Sequence, residues 1–242
     1  MTISWFAMFR HDTEVPPPEL ERLAAAIART RGLADALIYT PSSTSDPYLN
    51  DGAPPALGLQ LNFIDIADLE AATAEDGHLQ ALPDLLPSLA GAEVAQQAML
   101  SRHFPVPDAG FRTPSGEPHC TYLVAYEGEA ADKNIWLSYY IAHHPPIMAR
   151  FPGIRQIEIS TRLDWCGFLP YPRVDYLQRN KVVFDSPAAL MAALNSLVRH
   201  EMRADFKNFP PFSGGNTHFP MLTRVVAPRR ATAKSPRRDA AP

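Results

Sequence analysis

The chain has 242 residues, 46% hydrophobic and 20% charged. That supplies enough apolar surface for a folded core and excludes collagen-like, coiled-coil and wholly disordered classes. Proline is the outlier: 25 residues against 12 glycines, about twice ordinary usage, so stiff connections between elements are expected. The net charge of −4 is uneven, because Ala227 to Pro242 holds five basic residues against Asp239 and leaves −8 on the rest. An acidic body argues against a nucleic-acid surface, and the tail, 227–242, reads as a disordered basic extension. Cys120 and Cys166 stand in no metal or redox spacing. They fit a reduced, cytoplasmic compartment as small buried hydrophobes. No signal-peptide pattern and no run of eighteen apolar residues occurs, so neither secretion nor membrane insertion is expected.

In chain order, Ile3 to Arg10 reads as a strand, Pro18 to Arg31 as an alanine-rich helix and Ala34 to Tyr39 as a second strand after Gly32. A turn-rich insertion, Pro41 to Pro55, precedes a strand from Leu57 to Ile66. Broken helix follows over Ala67 to Ala90, then a strand from Glu93 to Phe104. Residues 105–118 form a proline-bearing linker.

The order then repeats. His119 to Glu127 alternates as a strand, with Tyr122, Val124 and Tyr126 on one side. A helix begins near Asp132 and carries Trp136, Tyr139 and Tyr140 at helical spacing; Pro145 and Pro146 are expected to kink or restart it. Ile154 to Leu163 returns as a strand, with Glu158, Ser160 and Arg162 on its inward face. A third strand runs from Val174 to Phe184. Ser186 and Pro187 open a helix with Leu190, Leu194, Leu197 and Val198 as its apolar stripe. Thr217 to Val226 closes the unit. Two βαββαβ units of this kind predict an α+β protein, with tandem ferredoxin-like copies (1–104 and 119–226) packed sheet to sheet as an α+β barrel.

The stretch Trp136-Leu-Ser-Tyr139-Tyr140-Ile-Ala-His143-His144-Pro145-Pro146-Ile147, followed by Pro152-Gly153-Ile154-Arg155, resembles the EthD-type branch of the dimeric α+β barrel superfamily. There a helix carries His-x-Pro-Leu, followed by Pro-Gly and an Arg opening the next strand. The resemblance covers roughly residues 119–226. The first half lacks His-x-Pro and reads as a degenerate copy that completes the barrel within one chain. The superfamily hosts cofactor-free lyases, cyclases, isomerases and monooxygenases, and also haem enzymes, so the resemblance implies a barrel more firmly than a reaction.

Among groups able to do chemistry, adjacent His143 and His144 point about 100° apart on a helix, which argues against a shared metal. His144 is the expected general acid/base, unless it only satisfies backbone groups left unpaired by the two prolines. Arg162 or Arg203 is the expected carboxylate clamp, although Arg162 and Glu158 could equally neutralise each other. Tyr126 and His218 are expected substrate donors. Tyr122, Tyr140, His143, Glu158, Arg203 and Phe212 complete the expected binding surface, with the Phe209 to His218 segment as its rim. Nucleotide-binding, serine-hydrolase and zinc motifs are absent. The sequence therefore predicts a cofactor-independent lyase, a decarboxylase or dehydratase, acting on an aromatic or polyketide-like acid without metal. Monooxygenation or isomerisation in the same barrel, cofactor-free or with haem, and a non-enzymatic ligand-binding accessory role are the alternatives. No nucleic-acid or membrane partner is expected, and a homodimer of such chains is left open.

Overall fold

The computed structural model describes residues 1–227; the expected disordered tail lies almost wholly outside the described residues. The first half contains β1 (Thr2–Arg10), α1 (Pro17–Ile27), β2 (Leu33–Pro41), β3 (Leu57–Phe63), α2 (Ile66–Thr73), a four-residue α3 (Leu82–Leu85) flanked by two 3-10 turns, and β4 (Glu93–Phe104). The second contains β5 (His119–Tyr126), α4 (Lys133–Met148), β6 (Ile154–Arg162), β7 (Gln178–Phe184), α5 (Pro187–Leu194), α6 (Leu197–Phe206) and β8 (Asn216–Val226).

The eight strands form one closed antiparallel barrel in the order β1-β3-β2-β8-β5-β7-β6-β4. Closure comes from two seams between the halves, β2 with β8 (Ala36 opposite Val226) and β4 with β6 (Ser101 opposite Ser160). The expected α+β barrel is thus present as one closed barrel. The sheets join edge to edge, which leaves no unpaired strand edge.

Period-two alternation divides each strand between two environments. On β1, Trp5, Ala7 and Phe9 face the helices of the first half and join its core, while Ser4, Phe6 and Met8 face the lumen. On β5, Tyr122, Val124 and Tyr126 pack against α4 to α6 in a second core. Each half thus has its own hydrophobic core outside the barrel wall. The lumen between them holds a polar network in which Gln60 donates to Glu158 (2.6 Å), Tyr39 donates to Gln60 (2.6 Å) and Ser101 lies 2.7 Å from both Ser4 and Ser160.

Two helix predictions are corrected. Helix α4 does not restart at Pro145 and Pro146 but continues through them to Met148, with the Asp132 side chain capping its N-terminus. Proline's fixed φ is helical; what it removes is a donor, freeing the carbonyls four residues back. Those belong to Ile141 and Ala142, half-buried and exposed, where water can take them. Conversely, the helix expected after Ser186 is two, α5 and α6, divided at Asn195 and Ser196, so Leu197 projects into solvent at 81% exposure. Cys120 is buried as expected, its thiol pushed up to about 12 by burial, but Cys166 is exposed. Among the described residues no helix is long and apolar enough to cross a membrane.

Candidate active site

Between the outer face of β5, β7 and β8 and helices α4 and α6 lies a recess lined by Tyr122, Tyr126, His144, Arg199, Arg203 and His218 among others. Strand alternation sends Tyr122, Tyr126, Asn180 and His218 to this face. Helix α4 brings His144, and the buried stripe of α6 brings Arg199, Met202 and Asp205.

His144, 5% exposed, places Nδ1 2.6 Å from Oδ2 of Asp205, itself 8% exposed. The other carboxylate oxygen accepts a hydrogen bond from the Tyr139 hydroxyl at 3.0 Å. Burial holds the imidazole down to about 4 despite the opposing pull of Asp205, with His218 and Arg199 adding to the depression. At neutral pH the ring is therefore uncharged. A neutral ring bonded to a carboxylate carries its proton on Nδ1, which leaves Nε2 as a lone-pair base on a ring lining the recess. Tyr140 (4.8 Å between ring centroids) and Phe209 (4.9 Å) fix the plane of the imidazole.

A second histidine–aspartate pair faces the same space. His218 Nδ1 is 2.9 Å from Oδ2 of Asp51, which also accepts the His218 backbone N–H at 2.8 Å. Burial lowers the pKa of His218 as well. Asp46, from the same loop between β2 and β3, accepts the Tyr122 hydroxyl and Arg199 Nη2 (3.2 Å) on one oxygen. Burial, then the charge of Asp46, pushes the Tyr122 hydroxyl well above its ordinary range, so it stays protonated. Arg199 is 7% exposed and its Nε has no hydrogen-bond partner among the described residues. A buried guanidinium with unspent donors beside a neutral base can stabilise an anion.

The structure brings together His144, Tyr126, His218, Tyr122 and Arg203 on one recess, with Tyr140 directly behind it. Phe212 packs on Tyr126 and Trp136 from outside the recess wall. Three expected residues stand elsewhere. Glu158 and Arg162 do face inward, but toward the lumen, so the sheet separates them from His144; Glu158 pairs with Lys181 (3.2 Å) and Arg162 with Glu129 (2.6 Å) at the barrel end. Arg162 is thus spent on carboxylates and loop carbonyls, and the arginine at the recess is Arg199. His143, one residue from His144 and so turned about 100° away, is exposed, with Nδ1 2.8 Å from the Tyr139 carbonyl. His144 itself bonds Asp205 rather than proline-freed carbonyls. Arg199, Asp205, Asp46 and Asp51 were missed. For the two on α6, a signal was present: charges at i and i+6 on the stripe that also carries Met202.

No protein-family model matches the chain, and no curated protein does. Solved structures do match. An anthrone oxidase-like protein superposes with a TM-score of 0.63 at 13% identity over 96% of each chain. A candidate monooxygenase from Fusobacterium nucleatum gives 0.58 at 7% identity, covering 93% of this chain and 94% of its own. Another, from Lactobacillus acidophilus, gives 0.52 at 10% identity, covering 94% and 97%. At these identities the likeness is one of fold, and it establishes that the chain is an α+β barrel along nearly its whole length.

Proposed function

We propose that this chain is a cofactor-independent lyase of the EthD type, built from two ferredoxin-like copies, which removes a proton from carbon in an aromatic or polyketide-like acid. The strand order fourth, first, third, second in each half supports the tandem reading. The observation that carries the chemistry is the His144–Asp205 pair. It holds a neutral base in a desolvated, aromatic-walled recess, where general-base catalysis is effective. Arg199 stabilises the enolate or phenolate that deprotonation creates, and Tyr126, Tyr122 and His218 orient the ring system. A carboxylate ion-paired to arginine is stabilised in the ground state, and that stabilisation is lost as neutral carbon dioxide forms, which opposes decarboxylation. Expulsion of hydroxide from the carbon next to the new carbanion, protonated to water by the proton His144 has taken, is therefore the favoured exit.

A second reading shares the first step. The carbanion can instead meet dioxygen, a CH₂ becoming a carbonyl with release of water, and the whole-length likeness to the anthrone oxidase-like protein favours this alternative. The test is to incubate purified full-length protein with hydroxyaryl acids and anthrones in a sealed cell, following oxygen, carbon dioxide and absorbance. Turnover without oxygen uptake supports the lyase; one oxygen consumed per turnover moves the assignment to monooxygenation. A Soret band in the purified protein would displace both cofactor-free readings. Full turnover by His144→Ala would remove the base from either.

A further inference from the structure

On the opposite face of the sheet from His144, the barrel lumen opens at one end into a second cavity. Its walls are mostly apolar: Phe6, Met8, Ala95, Leu123, Ala125 and Phe219. Into it projects Arg179 of β7. Its neighbours across the sheet are small, Ala125 on β5 and Ser160 on β6, so neither side chain covers the guanidinium.

Arg179 is 9% exposed, yet it forms no ion pair and no side-chain hydrogen bond among the described residues, and its Nε is wholly buried without a partner. The lumen's other inner cation differs: Lys181 is paired to Glu158 at 3.2 Å. The lining also holds Glu93, exposed at the mouth, and Glu127, whose Oε1 accepts from Thr217 Oγ1. Neither forms an ion pair with Arg179, although the charge of Glu127 acts on it from a distance, as does that of Arg10, a further cation of the lining exposed at the mouth. The groups in contact with the guanidinium are ring faces, Tyr176 at 4.5 Å and Phe6 at 5.6 Å from their centroids. Burial lowers its pKa to about 10, so it remains charged at neutral pH. A buried charge without a counter-ion is costly, and cation–π contacts offset only part of that cost. The unspent planar fork matches a carboxylate, and the apolar walls match a hydrocarbon or aryl body.

We propose that the barrel lumen is a second ligand site, separate from the His144 recess, which binds an amphipathic monocarboxylate through Arg179 with its apolar body against Phe6, Met8 and Phe219. The two cavities lie back to back, sharing Val124 and Asn180 in their walls.

The test uses 4-fluorobenzoate as probe, with the full chain at low ionic strength, by fluorine NMR and calorimetry. An Arg199→Gln/Arg203→Gln background removes both arginines that line the other recess. In that background the carboxylate should still bind; adding Arg179→Gln should weaken binding at least tenfold, and adding Ala95→Phe, which fills the lumen while keeping the arginine, should do the same. Arg179→Gln alone should leave turnover at His144 unchanged. The proposal is overturned if the Arg199→Gln/Arg203→Gln protein binds no probe, if Arg179→Gln or Ala95→Phe binds it as well as their parent, or if inorganic phosphate binds as tightly as the carboxylate. These outcomes are independent of whether His144 proves catalytic, because that is read from turnover.

Discussion

Replacing Asp205 by asparagine tests the base without emptying the site. In the native arrangement one carboxylate oxygen accepts the Tyr139 hydroxyl at 3.0 Å and the other faces His144 Nδ1 at 2.6 Å. An asparagine keeps the Tyr139 bond by placing its carbonyl at the first position, which turns its NH₂ toward Nδ1. Nδ1 must then accept, and the proton moves to Nε2, where it blocks the lone pair proposed to take the substrate proton. General-base catalysis contributes about 10²–10⁴ in rate, so kcat should fall by that factor, or ~2.7–5.4 kcal/mol of barrier, with KM within about twofold of wild type. Nitrogen-15 shifts of the His144 ring should show the tautomer reversed. Adding Tyr139→Phe frees the amide to flip, so part of the lost rate should return. An Asp205→Asn enzyme within about threefold of wild type, or one that loses its rate while Nδ1 keeps its proton, would refute the reasoning.

Three further outcomes follow from the same contacts. His144 is held to about 4 against an ordinary 6.5, so between those values the unfolded chain binds a proton that the folded chain does not. Stability should be level above the upper value and fall as pH drops toward the lower one, by about 3 kcal/mol at ~1.36 per unit. Urea unfolding at several pH values checks this: the stability gap between wild type and His144→Gln should close by that amount, and a pH-independent gap counts against it. Asp46→Ala strips the counter-ion from Arg199 and the acceptor from Tyr122; both are buried, so unfolding free energy should drop by about 3–5 kcal/mol, with Asp46→Asn costing less. Gly128→Ala would bring a Cβ within 2.0 Å of the Ser213 carbonyl oxygen. That displaces the loop seating Phe209 and Phe212 on Trp136, so a loss of at least ~1–3 kcal/mol and altered near-ultraviolet dichroism are expected.

The strands were legible because alternation is a local signal: Glu93–Phe104 matches its expected range, and Tyr122, Val124 and Tyr126 share the face that alternation assigned to them. His144 was legible through its motif. Its partners were not. Asp46 is 153 positions from Arg199, and Asp51 is 167 from His218; no periodicity reaches that far, and a loop rich in proline and serine hides two acids that look solvated. Arg162 misled for a different reason. Its inward direction was right, but a closed barrel gives every strand two buried faces, and alternation alone does not say which of them faces His144.

The loop that supplies Asp46 and Asp51 has a counterpart. Residues 42–56 join the second and third strands of the first half, and 163–177 join the second and third strands of the second half. Each crosses to the other half. From the second half, Leu169, Trp165 and Tyr171 pack into the first core, the Phe168 N–H donates to the Thr73 carbonyl, and Gln96 donates to the carbonyls of Leu169 and Tyr171. Trp5 completes that seal by donating from Nε1 to Gln96 at 3.0 Å. One arm therefore fills the space beneath its partner's helices with apolar side chains. The other brings carboxylates to a histidine, a tyrosine and an arginine and leaves a recess open. The first half has no histidine at the position of His144, so an open pocket there would be exposed apolar surface without chemistry, and sealing it gains burial. In the second half the same crossing holds His218, Tyr122 and Arg199 in place. Joining both halves in one chain is what permits this division: in a symmetric dimer of identical subunits, both arms would carry the same residues and both pockets would have the same fate.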